Sequence, residues 1–178
     1  FLQQQLQPKK GNIIEIPEDF YNDKEPPKTI AKQSQKTRYK TTDGKIVGTH
    51  QGAHFFTIGQ RKGLAVGGTS EPLFVIDTDV IENVVYVGLG KDHPGLLRQA
   101  LEVRPSDVHW VREDLKTIQG EMEVMARIRY RQPLQKATLF LNDDALYVLF
   151  NQPQSAITSG QFVAWYKDSE LLGSGVIA

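Results

Sequence analysis

Residues 50–63 read HQGAHFFTIGQRKG, and the chemistry this chain could carry begins there. His50 and His54 stand four apart, the spacing that sets two imidazoles on one helix face to grip a divalent metal. Gly59, Gly63, Gly67 and Gly68 surround Arg61 and Lys62, a composition suited to cradling phosphate. Farther on, Arg127, Arg129 and Arg131 alternate with Ile128 and Tyr130. A strand would send those three guanidinium groups to one face, about 6.5–7 Å apart, close to a phosphate-to-phosphate step in nucleic acid.

Each option meets a chemical check. A zinc-hydrolase helix places a glutamate directly after its first histidine as general base. Here Gln51 cannot take a proton, Gly52 interrupts the pair, and His93 and His109 lie in separate turns. The two histidines therefore read as structural, and no metal site is expected. Neither GxxxxGK[ST] nor GxGxxG is present, so the glycines read as turns. The arginine stripe keeps two readings: an RNA contact, or an edge strand kept soluble by charge. No nucleophile elbow and no placed carboxylate pair completes an active site.

The bulk composition narrows these choices. Lys plus Arg and Asp plus Glu are 21 each in 178 residues, so any attraction to nucleic acid must come from a local patch. There is no cysteine, which excludes disulfides, Cys-ligated zinc and thiol catalysis within these residues. No apolar run approaches the roughly 20 residues of a membrane helix, and no signal peptide is visible. The first residue is Phe1 rather than Met, so a fragment of a longer protein is expected.

The elements that must position these groups are mostly strands. FLQQQLQ (1–7) reads as the end of a helix stopped by Pro8, and NIIEI (12–16) as a strand. A polar insertion over about 17–42 changes sign at Pro26-Pro27, from Glu18, Asp19, Asp23 and Glu25 (with Glu15 just before it) to Lys28, Lys32, Lys36, Arg38 and Lys40. It reads as a mobile loop or a basic arm for a polyanion. DGKIVGTH (43–50) is a turn and strand. Thr57 with Gln60 has the form of a capping box and Gly63 that of a helix stop, predicting a helical turn at 58–62.

From Pro72 the period is two. LFVIDTD (73–79) and NVVYVG (83–88) form a hairpin, followed by strands at 96–105, around 108–111, at 120–132, 136–141, 145–150, 161–166 and 170–178. In GEMEVMARIRYRQ, Met122, Val124, Ala126, Ile128 and Tyr130 share the inward face. The expected fold is mainly β: a small central module at 1–69, then an antiparallel β-barrel at 70–178.

Residues 46–68, IVGTHQGAHFFTIGQRKGLAVGG, resemble a hallmark of the tRNA-specific 2-thiouridylase (MnmA) family, known in older naming as tRNA 5-methylaminomethyl-2-thiouridylate methyltransferases. The order GxHxG, then TIGQRxGL, then GG, matches from Gly48 to Gly68. FLQQQLQPKKGNII is similar to the family segment after its second catalytic cysteine. KDHPGLL, SDVHWV, ARIRYRQ and PQSAITSGQFVAWY follow in the family's order; the insertion at 17–42 departs from it.

The resemblance implies an enzyme that activates the tRNA wobble uridine at C2 with ATP and Mg and delivers sulfur from a cysteine persulfide. That chemistry resides in an N-terminal domain with an SGGxDS loop and two cysteines, absent here. The chain is then the tRNA-binding, non-catalytic part, inactive alone, with a barrel similar to the second domain of elongation factors. The implied tRNA contacts are Arg129 and Tyr130 of the RYR motif and Gln161 of a P-G-Q turn, in which Ser159 replaces the usual proline. Arg127, Arg131, Arg61 and Lys62 are further candidates. Implied partners are the anticodon region of tRNA and a sulfur-relay protein, in the cytoplasm and without a membrane. The rival reading is a β-barrel protein-interaction module with no RNA role.

Overall fold

The computed structural model describes residues 8–178; the helical turns expected over residues 1–7 lie outside them. The chain forms two compact units, one holding residues up to Glu25 and Thr37–Leu97, the other Pro26–Lys36 and Arg98–Ala178.

The first unit is a four-stranded mixed sheet. It contains β1 (Gly11–Glu15), β2 (Lys45–His50), β3 (Leu73–Asp79) and β4 (Val84–Leu89), in the order β2-β1-β4-β3. β1 runs antiparallel to β2 and parallel to β4. Both faces are covered, which is why NIIEI is apolar on consecutive residues. Ile13 packs with Val75, Val85, Val87 and Leu64 on one side. Ile14 packs with Ile76, Tyr86 and Leu96 on the other, where Phe20, Tyr21 and Tyr39 complete the cluster. Those three aromatics come from the polar insertion. They fold part of it, as a 3-10 turn at Glu18–Tyr21, instead of leaving the mobile loop its composition suggests.

The second unit is a closed barrel. Its strands are β5 (Leu97–Trp110), β6 (Gly120–Arg127), β7 (Gln135–Leu141), β8 (Leu146–Ser155), β9 (Phe162–Lys167) and β10 (Glu170–Ile177), ordered β10-β5-β8-β7-β6-β9. Alternate residues such as Val124, Ala126, Leu139, Phe150 and Trp165 fill its interior, the period-two pattern of a pleated strand with one buried face. The two strands expected at 96–105 and 108–111 are one. β10 skips from Val108 to Val103 across it, a bulge that accommodates Pro105, which cannot donate to the ladder. The β9–β10 hairpin turns through Asp168 and Ser169, both at positive φ, as a two-residue primed turn requires. The short helix α1 (Ile30–Ser34) packs against β8.

Three further expectations change. The boundary at 69/70 moves: the 73–89 hairpin pairs with β1 in the first sheet, not with the barrel, and residues 26–36 join the barrel unit. The 58–62 helical turn does not form. The Gln60 side chain does accept from Thr57 N–H (3.1 Å), but Gly59 takes φ +83 and the chain turns to exchange backbone hydrogen bonds with Val75. The third change concerns the arginine stripe. β6 stops at Arg127, because Gln132 Oε1 takes the Ile128 N–H (3.1 Å) and Pro133 follows without a donor. Arg129, Tyr130 and Arg131 therefore occupy a turn, not a strand face.

Candidate nucleic-acid interface

That turn gathers groups the sequence only suggested. Arg127, at the end of β6, donates from Nη2 to Tyr166 Oη (2.9 Å) and from Nη1 to the Tyr130 carbonyl (3.0 Å). Its guanidinium carbon lies 5.2 Å from the Tyr166 ring centroid and 5.5 Å from that of Tyr130, within cation–π range. Tyr130 does not turn inward as strand alternation predicts; it is 85% exposed. Arg131 is exposed in the same turn.

Arg129 donates from Nη2 to the carbonyls of Ser155 (3.1 Å) and Ala156 (2.8 Å). A guanidinium carries five N–H donors in a fixed fork, so using one nitrogen for the protein leaves the others free to meet an anion. Arg98, a residue sequence reasoning passed over, donates to the next carbonyl, that of Ile157 (3.2 Å). Burial lowers the Arg98 pKa, yet a guanidinium remains a cation in proteins. Three consecutive carbonyls are thus gripped by two arginines. Gln132 and Gln154 brace the turn through a side-chain hydrogen bond of 2.5 Å. The one sequence signal for Arg98 is a charged residue at a strand's start, in LLRQAL.

The gripped segment leads directly to Gln161. Gln161 N–H donates to the Thr158 carbonyl (3.3 Å), and Gly160 takes φ +83 at the third position of this four-residue turn. That is the geometry of a type II turn, in which the second position suits proline and the third glycine. Ser159 occupies the proline position and ties the turn to the Ala178 carbonyl through its hydroxyl (2.9 Å). Gln161 Oε1 is shielded from solvent with no hydrogen-bond partner. The next residue, Phe162, faces outward and is 64% exposed, an aromatic the sequence reading did not single out.

Arg61 and Lys62 are exposed beside Gly63 in the first unit, and Gln60 Nε2 donates to the Lys62 carbonyl (2.8 Å). His50 and His54 do not share a helix face. Gly52, at φ +144, breaks the chain between them and a 3-10 turn follows at Ala53–Phe55. His50 is buried and accepts from Gly52 N–H through Nδ1 (2.9 Å), whereas His54 is exposed against Phe55. Among the described residues no group of three His, Cys, Asp or Glu side chains could hold a metal ion.

Burial lowers the pKa of both His50 and His93, the latter holding Gly95 N–H and the Ile16 carbonyl. A histidine kept neutral by the fold binds its proton more readily when unfolded, so stability rises with pH below the ordinary value of about 6.5. The first unit should therefore lose stability between pH 7 and 5, by up to about 1.4 kcal/mol per pH unit for each histidine. Denaturation midpoints measured at both values check this. His93→Asn should flatten the dependence, and a pH-independent midpoint in the parent would contradict it.

No helix among the described residues is long and apolar enough to cross a membrane. Two family models match the chain: a tRNA methyl transferase PRC-barrel domain over residues 28–89 and an aminomethyltransferase beta-barrel domain over residues 100–177. The first takes in the β3–β4 hairpin, in agreement with the sheet that hairpin joins. The chain is 59% identical to the tRNA-specific 2-thiouridylase MnmA of Christiangramia forsetii over its whole length, covering 47% of that relative. Identity and coverage are the same for the Flavobacterium johnsoniae protein of that name. For the Karelsulcia muelleri protein the identity is 47%, over all of this chain and 46% of the relative. The chain spans about half the length of the curated relatives it matches. With its hallmark at 48–68, both domain matches and this identity, the chain belongs to the tRNA-specific 2-thiouridylase family.

Proposed function

We propose that this chain is the tRNA-holding part of an enzyme that places sulfur at C2 of the wobble uridine, in the cytoplasm, with a sulfur-relay protein as donor. The observation that carries this reading is the barrel face where Arg129, the exposed Tyr130 and the 158–161 turn meet on one gripped segment. Arg129 supplies a cation for backbone phosphate, and Tyr130 a ring on which a base can stack. Gln161 supplies an amide that can donate to and accept from a pyrimidine edge. The shielded Oε1, left without a partner, costs about 1–3 kcal/mol.

ATP with Mg and persulfide sulfur are the reagents this reaction needs. The residues of this chain do not fit them: it has no cysteine, no SGGxDS loop and no GxxxxGK[ST] pattern. Their chemistry belongs to residues outside the chain, and the residues here bind and orient the tRNA. The test is Gln161→Ala in the intact protein. It should slow tRNA thiolation about tenfold, the worth of one or two hydrogen bonds near the reacting base, while tRNA affinity stays within about threefold. An unchanged thiolation rate would sink the role given to Gln161.

A further inference from the structure

Pro26–Lys36, the middle of the insertion, is seated on the barrel, and Arg98 links its seat to the face just described. Thr29 caps α1 by accepting from Lys32 N–H (3.3 Å), and the buried Ser34 hydroxyl donates to the Ala31 carbonyl (2.8 Å). Arg98 then donates from Nη1 to the Ser34 carbonyl at the helix end (3.0 Å) and from Nη2 to the Ile157 carbonyl. One guanidinium thus joins the α1 segment to the carbonyl run whose preceding two members Arg129 holds. Both described bonds of Arg98 go to neutral carbonyls, and desolvation is the one cause of its lowered pKa. A buried cation without a carboxylate leaves a positive local potential. Lys28, Lys32 and Lys36, all exposed, stand on the segment it anchors.

We infer that Pro26–Lys36 is a second RNA-contacting element, binding phosphates next to those met at Arg129. The inference rests on the proposed tRNA-binding role of the barrel face. The partner is the sugar–phosphate backbone of RNA, because the segment that carries the lysines is tied through Arg98 to the carbonyl run that Arg129 holds, and a positively charged track suits a polyanion longer than one phosphate step. The arm supplies affinity and not base readout, since flexible ammonium groups act as point charges.

The experiment uses the intact protein and unmodified tRNA with a wobble uridine, measuring dissociation constants over a salt series. The triple variant K28Q/K32Q/K36Q is compared with parent and with Arg129→Ala, and melting checks that each remains folded. The expected result is binding weakened about three- to tenfold at low salt, with the slope of log affinity against log salt reduced by about 2. Parent-like affinity and slope in the triple variant, while Arg129→Ala binds weakly, would overturn the inference and leave the proposed function standing. If Arg129→Ala is also silent, the RNA reading falls and the inference with it. A triple variant that binds tRNA normally but loses an acidic protein partner would likewise overturn it.

Discussion

Arg129→Ala in the intact protein is expected to weaken tRNA binding by roughly ten- to hundredfold, the equivalent of the 1.5–3 kcal/mol that a hydrogen bond to a charged group contributes. Two losses combine. The phosphate loses its cation, and the carbonyls of Ser155 and Ala156 lose the donor that fixes them. The second loss propagates, because residues 155–161 run straight into the turn that presents Gln161. Arg129→Lys should be intermediate: it keeps the charge, but a point-like ammonium cannot hold two carbonyls and an anion in one plane. Arg129→Ala binding tRNA within twofold of parent, with the same salt slope, would remove this residue from the interface.

Trp165→Ala should be the most damaging single change to the barrel. Trp165 is fully buried in β9, opposite Ala126 of β6 and Gly173 of β10, and its ring meets Trp110 edge-on at 5.4 Å. Gly173 has no side chain because a Cβ there would lie 2.9 Å from the Trp165 ring. Truncation opens a cavity that these backbones cannot close, at a cost of about 3–5 kcal/mol. That is a large share of the roughly 5–15 kcal/mol that stabilises a domain. The urea midpoint should fall by roughly 2 M. Trp165→Phe should cost far less, since Nε1 of the indole has no hydrogen-bond partner to lose. Equal midpoints for parent and Trp165→Ala would contradict the packing described. Because β9 carries Tyr166 and follows directly on Gln161, tRNA binding should decline together with stability.

Most barrel strands were legible because each buries one face, so the period of two survives in the sequence. The β3–β4 hairpin was equally visible as a hairpin, but its partner was not. Its parallel pairing with β1 joins residues some 70 apart, and nothing local distinguishes a strand bound for one sheet from a strand bound for another. The insertion was misjudged by its charge: Phe20, Tyr21 and Tyr39 fold part of it, although polar neighbours dilute them. Thr57 and Gln60 specify one real hydrogen bond that serves a turn as well as a helix, and Gly59 decides for the turn. Within the candidate site, the identities of Arg129, Tyr130 and Gln161 came from resemblance. Their placement required the side chain of Gln132 to end β6 at Arg127, five residues short of the expected strand, which periodicity cannot show. Arg98 escaped notice because its partners are backbone carbonyls, which leave no mark in a sequence.

The central claim, that tRNA lies on this barrel face, is tested most directly by amide hydrogen exchange of the intact protein with and without saturating tRNA. Protection is predicted at residues 128–132 and 155–161, with the exposed β9–β10 turn at 168–169 unchanged. Exchange at 128–132 and 155–161 that is identical in the free and tRNA-bound protein would contradict it.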